Sequence, residues 1–410
     1  MNKVTVIGGG AAGLMAAIAA AEGGAQVCLI EPNERLGKKV NITGKGRCNV
    51  TNDTDLEGLM AHIPRNGRFL YSALSRFTSR DTMAFFQGCG VPLKVERGDR
   101  VFPVSDSAFD ITDALKRRVK ALHIRWAHDR AAAVETAEGH VTAVTGEKET
   151  YPSDAVIIAT GGVSYPGTGS TGDGYKMAAA LGHTIVEPRG SLVPLVSDDD
   201  CCRHMQGLSL KNVELTAYNQ KNKAVFREFG EMLFTHFGVS GPLVLSASAH
   251  LRSWEKEQYR LSIDLKPALD EQKLEARILR DISESPNRDV EKLLCGLVPH
   301  SMAPVLSRRL GLPPTLKANS LTKEQRRALI RLLKHFDINV TDVRPVAEAI
   351  VTAGGVKVSE VKPNTMESKL VAGLYFAGEV LDVVAYTGGF NLQIAWATGH
   401  LAGVSAAERE

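Results

Sequence analysis

The chain has 410 residues, 44% of them hydrophobic and 23% charged, which excludes a disordered or fibrous protein and allows two or three domains. Its net charge of +3 comes without any cluster of about five or more basic residues, so a nucleic-acid-binding tail is excluded while contact with a polyanion is permitted. Cysteines 28, 48, 89, 201, 202 and 295 form neither a CxxC pair nor a zinc spacing; they read as reduced thiols of a cytoplasmic protein, and no metal site is expected.

The chain enters a strand pattern at once, KVTVIG, without the basic and apolar regions of a signal peptide. No uninterrupted apolar stretch of about 18 residues occurs, so no membrane span is expected. Val4, Val6 and Ile7 predict a short buried strand. Gly8, Gly10 and Gly13 then spell G-x-G-x-x-G. A small-residue helix is predicted over Leu14–Glu22, ended by Gly23 and Gly24, and a second strand over Gln26–Ile30, closed by Glu31.

Each part has a physical reason. Gly8 permits the tight turn, Gly10 lets backbone approach a pyrophosphate, and Gly13 lets helix and strand pack closely. The helix N-terminus supplies unpaired N–H groups and partial positive charge for phosphates, with Ala11 and Ala12 in the turn leading into it as cofactor-binding candidates. Glu31 can accept two hydrogen bonds from a ribose. G-x-G-x-x-G alone is a weak signal, but strand, helix and terminal acid are all present, which predicts a dinucleotide site. A ligand-free glycine turn does not account for the place of Glu31.

Next comes the loop EPNERLGKK and then NITGKGRCNVTN, Asn41 to Asn52, polar, glycine-rich and without amphipathic period. Further on, DAVIIATGG (154–162) predicts an apolar strand ending in Thr160, Gly161 and Gly162. A second G-x-G-x-x-G at Gly167, Gly169 and Gly172 lacks both a strand immediately before it and an acid-ended strand after it. It is read as a loop capping a helix that begins near Asp173, not as a nicotinamide site.

Residues 191–267 with 337–344 are expected to form an inserted β-barrel or sandwich. The strand-like runs are NVELTAYNQKNKAVFREFGEMLFT and YRLSIDL, with QKNK as a turn. Residues 268–336 show helical spacing, with Thr322 and Gln325 as a capping box. This helical part carries Arg308, Arg309, Lys317, Lys323, Arg326, Arg327, Arg331 and Lys334, either a solvated face or a surface for RNA. His236 in FTHFGVSGP is a second candidate for handling protons, more often a satisfied loop histidine.

GLYFAGEVLD (373–382) predicts a further strand, ending in Gly378 and Glu379. TGGFNLQIAWATGHLAG runs from a glycine turn at Gly389 into a helix that starts around Phe390, Asn391, Leu392 and Gln393 and ends near Gly403. Asn391 and Gln393 also suit ordinary helix capping. Segments 1–190 and 345–410 thus make one discontinuous domain of the α/β class: an FAD/NAD(P)-binding, Rossmann-like three-layer fold.

Taken together, GGGAAG, GKKVNITGKGRCNVTN, ATGG with YPGTGSTGDGY, TAGGV, GLYFAGEVLD and TGGFNLQIAWATG resemble the BaiN/RdsA family of NAD(P)/FAD-dependent oxidoreductases, also called YhiN-like flavoproteins. The resemblance covers nearly the whole chain, and TGKGRCNVTN is its most specific motif. Lys45 stands where a glycine is common in that family. TGDG before a small-residue helix also resembles fumarate-reductase-type flavoproteins.

The resemblance implies FAD as bound cofactor, NAD(P)H as transient reductant and reduction of an activated carbon–carbon double bond. Steroid-like substrates and the uridines of large-subunit (23S) ribosomal RNA, converted to dihydrouridine, are the two substrate classes it brings. In a mildly basic chain, ribosomal RNA or a ribosome precursor is the preferred partner. A non-catalytic flavin-binding role stands as a third reading.

The implied cofactor set adds Lys38, Lys39, Thr43, Gly44, Gly46, Arg47, Cys48, Asn49 and Ala133 to the glycine turn, Glu31, the ATGG end, Gly378, Glu379 and the start of the final helix. Cys48 is the candidate proton donor to the substrate, with Arg47 biasing its thiol; the alternative is a cysteine that simply fills space.

Overall fold

The computed structural model describes residues 1–251 and 258–409. Val4, Val6 and Ile7 are buried in β1 (Lys3–Ile7). This strand runs parallel to β2 (Gln26–Ile30) through α1 (Ala11–Glu22), and β3 (Arg125–Ala127), β4 (Ala155–Ile158) and β5 (Leu374–Phe376) complete a parallel sheet ordered β5-β4-β1-β2-β3. Parallel strands buried on both faces read as continuous apolar runs, as in AVII of β4. α1 begins at Ala11, three residues earlier than the sequence pattern indicates, because Gly10 serves as its N-cap.

α1 is buried along Ala12–Ala20, so no polar stripe is visible in it. Burying Leu14 and Ile18, both fully enclosed, contributes about 1.5–3 kcal/mol each. Its main neighbour is the C-terminal helix, Phe390–Ala407. A Cβ on Gly399 would stand 2.3 Å from the Ala12 carbonyl oxygen, and one on Gly403 would stand 2.3 Å from that of Ala16. Two helices of small residues therefore meet backbone to backbone. Trp396 is fully buried on this helix and donates its indole N–H to Val50 O at 2.9 Å.

A three-stranded antiparallel meander (Ala131–Ala137, His140–Gly146, Thr150–Pro152) forms a separate sheet, and its Val141 N–H donates to Ala372 O just before β5. These elements belong to one compact unit, Met1–Ser191 with the chain from Pro345 onward. Leu192–Arg344 is the other unit.

The second unit holds a seven-stranded sheet with Phe336–Val340 at one edge and Asp342–Val343 at the other. Only Thr341 separates these two runs, so the sheet must curl until its edges are neighbours; Thr341 N–H closes the curl on Val196 O at 3.0 Å. Its longest strands, Ser209–Asn219 and Ala224–Thr235, form a hairpin. Helices Glu271–Glu284, Val290–Leu294, Ala303–Arg309 and Lys323–Lys334 lie between the strands Tyr259–Asp264 and Phe336–Val340 in sequence. The last of these helices starts with the Thr322–Gln325 capping box. Among the described residues, no helix is long and apolar enough to cross a membrane.

Candidate cofactor site

The turn after β1 is shaped by contacts that exclude side chains. Gly8 sits at φ +108°, and a Cβ there would lie 2.5 Å from the Ala159 carbonyl oxygen; a Cβ on Gly13 would lie 1.8 Å from that of Gly8. At Gly10 a Cβ would meet nothing within 4 Å. Two glycines therefore serve packing, and the third borders open space. No side chain caps α1 and no acid stands in its first turn. The first bond of the helix is Leu14 N–H to Gly10 O, which leaves the preceding amides at the helix N-terminus to face an anion.

Glu31 fixes this turn. Its Oε2 accepts from Gly9 N–H at 2.7 Å, and its Oε1 accepts from Asn33 N–H at 2.8 Å and Asn33 Nδ2 at 2.7 Å. A carboxylate has about four acceptor positions, so capacity for a ribose hydroxyl remains on Oε2. Asn33 also donates to Thr168 O, which ties in the loop of the second glycine motif. That loop ends with Gly172 as N-cap of the helix Asp173–Ala180. Lys38 is exposed, its Nζ 3.4 Å from Asn33 Oδ1.

Lys39, Ser164, Thr352 and Glu379 converge from four distant parts of the chain. Glu379 Oε2 accepts from Lys39 Nζ at 2.7 Å; its Oε1 accepts from Thr352 N–H at 2.7 Å and Ser164 Oγ at 3.0 Å. Thr352 Oγ1 accepts from the amides of Val163 and Ser164. Gly162 must be glycine here, since its Cβ would lie 2.2 Å from Thr352 Oγ1. Gly378 packs on Ala12, bringing the AGE turn beside the start of α1. Gly161 lies against Ser170, and the Thr160 hydroxyl is buried without a hydrogen-bond partner.

In the segment after Lys39, Thr43 donates to Val40 O at 2.7 Å. Gly44, Lys45 and Gly46 follow with φ of +56°, +59° and +84°. Arg47 pairs with Glu96 and with Asp106, and its guanidinium lies 4.2 Å over the Phe102 ring. Cys48 has no accessible surface. Burial pushes its thiol up to about 12, partly offset by the neighbouring Thr43 hydroxyl. The expected bias of Arg47 on this thiol is therefore corrected: the cation is held by two carboxylates, and burial sets the thiol. Asn49 Oδ1 is buried without a partner.

Thr51 and Asn52 reach the start of the C-terminal helix. Gly389, at φ +100°, presses against Thr51, and Asn52 Nδ2 donates to Gly388 O at 3.1 Å. The helix N-terminus has no side-chain cap and no acid in its first turn. Neither amide residue caps it. Asn391 bonds the backbone of Ala385 and Tyr386, while the buried Gln393 accepts from Thr51 and Thr82 and donates to Phe77 O. Phe390 is buried and stacks on His62 at 4.3 Å, and Leu392 is partly exposed.

Ala133 is not brought into this set: it is exposed, in the meander, opposite Thr145. His236 is exposed, edge-on to Phe237. Sequence reasoning missed Arg65, which grips Asp382 through both its Nε and Nη2, and the roles of Asn33, Ser164 and Thr352. Ser164 and Thr352 lie within the SYPG and TAGGV motifs, whereas nothing in the sequence around Arg65 marks it.

Two uncapped helix starts, open space at Gly10 and unpaired buried oxygens on Asn49 and Thr160 match what a flavin dinucleotide needs. The family model described as HI0933-like protein Rossmann domain matches residues 2–405. The chain is 33% identical over 417 residues to a 3-dehydro-bile acid delta(4,6)-reductase of Clostridium scindens, with 100% of both chains covered. It is 32% identical over 398 residues to a ribosomal RNA dihydrouridine synthase of Escherichia coli, covering 96% of this chain and 95% of that one. In fold it is similar to a 3-ketosteroid-delta4-(5alpha)-dehydrogenase from Rhodococcus jostii, with a TM-score of 0.54, 17% identity, and 100% and 97% of the two chains covered.

Proposed function

The chain belongs to the HI0933-like Rossmann family, its relatives over nearly the full length are named a bile acid reductase and a ribosomal RNA dihydrouridine synthase, and we propose that it is an FAD-dependent reductase that forms dihydrouridine in 23S ribosomal RNA. The observation that carries the cofactor is the pair of uncapped helix N-termini, one after the glycine turn and one at Gly389. The first would hold the pyrophosphate with Gly8, Gly10, Ala11, Ala12 and Gly13, with Glu31 on the ribose. The second, through Gly389–Leu392, would face the edge of the flavin where negative charge develops on reduction.

FAD, when bound, would supply the hydride for one carbon of the uracil 5,6 double bond. The other carbon takes a proton. Cys48 keeps its proton at neutral pH and so has one to give, but with no accessible surface it must be uncovered before it meets a substrate. Full turnover in Cys48→Ala with FAD retained would remove it from that role. Arg47, held by Glu96 and Asp106, orients the loop that carries Cys48. NAD(P)H as reductant would reach the flavin without a Rossmann unit of its own, since the second glycine motif caps a helix. A ribosomal RNA substrate would place the protein in the cytoplasm.

Support for RNA comes from the full-length relative named for that activity. The second reading, a small-molecule ene-reductase, is favoured by the equally long relative named as a bile acid reductase. Mass spectrometry of ribosomal RNA nucleosides, with and without the gene, decides between them. Loss of a dihydrouridine on deletion, restored by wild type and not by a variant unable to hold FAD, supports the RNA reading. An unchanged nucleoside profile, together with enone reduction by purified protein, supports the other.

A further inference from the structure

The structure divides the eight cations of the helical segment into two groups. Lys334 lies 2.6 Å from Asp264 Oδ2, and Lys317 2.6 Å from Asp289 Oδ1. Arg326 donates to Leu321 O, and Arg309 donates to Asp337 O while lying over the Phe336 ring. Arg308 reaches His204 at 3.3 Å. These five hold the second unit together.

Lys323, Arg327 and Arg331 are different. All three are exposed, and none has a hydrogen bond or ion pair among the described residues. They recur every fourth position of the Lys323–Lys334 helix, so they form one file with steps of about 6 Å along its axis. The opposite side of the helix buries Leu329, Ile330 and Leu333, and the Thr322–Gln325 box fixes its start, so the file is presented by a rigid element. Glu324 is the one acid on the helix.

Like charges at this spacing cost a helix about 0.2–0.5 kcal/mol per pair. Lys323 and Arg327 act on the Glu324 carboxylate and Arg331 lies in the last turn, so the fold draws only weak surface electrostatics from the file. Its step is close to the spacing of successive phosphates on an RNA strand. The helix bears no aromatic residue, so it offers charge without base stacking. We infer that Lys323, Arg327 and Arg331 form a docking stripe for the RNA phosphodiester backbone, which positions the strand without reading its sequence. This rests on the RNA reading given above.

The test is binding of a 23S RNA transcript to the FAD-loaded full-length protein as NaCl is varied. The stripe variant carries Lys323→Gln, Arg327→Gln and Arg331→Gln; a control variant carries Lys211→Gln, Lys221→Gln and Lys223→Gln. Each lost phosphate contact lowers the slope of log affinity against log salt by roughly 0.7–0.9, so the stripe variant should lose about 2 from the slope. Its affinity in moderate salt should fall by roughly 10- to 100-fold, with flavin content unchanged. Equal slopes for the two variants, with wild type still binding in a salt-dependent way, overturn the stripe and leave the RNA reading standing. Absence of salt-dependent binding by wild type overturns both.

Discussion

Arg65 grips Asp382 side-on, Nε to Oδ1 at 2.5 Å and Nη2 to Oδ2 at 2.7 Å, between residues 317 positions apart in sequence. The same carboxylate accepts from Gly354 N–H at 3.0 Å, and Asn66 donates to the Asp382 carbonyl. One acid thus joins the early helical segment to the late strands. Breaking such a pair leaves a charge without its partner. Asp382→Asn should cost about 2–4 kcal/mol, somewhat discounted because Arg65 keeps some exposure. Denaturant unfolding measures it, and the double variant Arg65→Gln with Asp382→Asn should recover part of the loss.

Gly10 and Gly13 should respond in opposite ways to alanine. Gly10 has φ −83° and free space at its Cβ, so Gly10→Ala should fold with unchanged stability yet hold FAD at least tenfold more weakly. Gly13→Ala meets the Gly8 carbonyl at 1.8 Å and should lower the melting temperature of the protein itself. Flavin absorbance after gel filtration, read beside thermal melting, separates the two effects.

Lys45 holds a left-handed backbone between two glycines, a conformation that costs a residue with a Cβ about 1 kcal/mol. Lys45→Gly should leave stability within about 1 kcal/mol of wild type and keep activity. Lys45→Val, β-branched in the same conformation, should be clearly destabilised. Equal stability for the two variants in urea would contradict the strain.

Two histidines give a pH dependence whose sign is fixed. Burial lowers the pKa of both His183 and His400, with acids nearby opposing it only in part. The unfolded chain therefore binds protons that the folded chain refuses. The associated stability is complete above the unfolded value of about 6.5 and is lost as pH falls below it toward the folded values. Urea midpoints should drop between roughly pH 7 and 5. His400→Phe should shrink that drop, because the ring stacks on Phe77 and its Nδ1 has no partner to lose.

The β1-α1-β2 unit was legible because its signals are local: glycine spacing, small residues and a terminal acid all fall within about 30 residues. The start of the C-terminal helix after Gly389 was legible for the same reason, but its lack of a cap was not: Asn391 and Gln393 suit capping in sequence and bond elsewhere in the fold. The partners of Glu379 were not, because Lys39, Ser164 and Thr352 come together only when distant segments are folded. Arg65 is missed on the same ground. Cys48 shows a different limit: a motif rich in polar residues hides one buried position, and no periodicity marks which residue turns inward.

The backbone contact between α1 and the C-terminal helix has a consequence for biosynthesis. α1 leaves the ribosome early with an apolar surface all round, and its partner helix is made almost last. At about 5–20 residues per second, the nascent chain carries that surface for roughly 20–80 s. The inserted unit, Leu192–Arg344, is complete before the strand Leu374–Phe376 and the final helix emerge. The nucleotide unit therefore closes only once this helix has emerged, and a chain cut short before Phe390 leaves α1 open to chaperones and proteases.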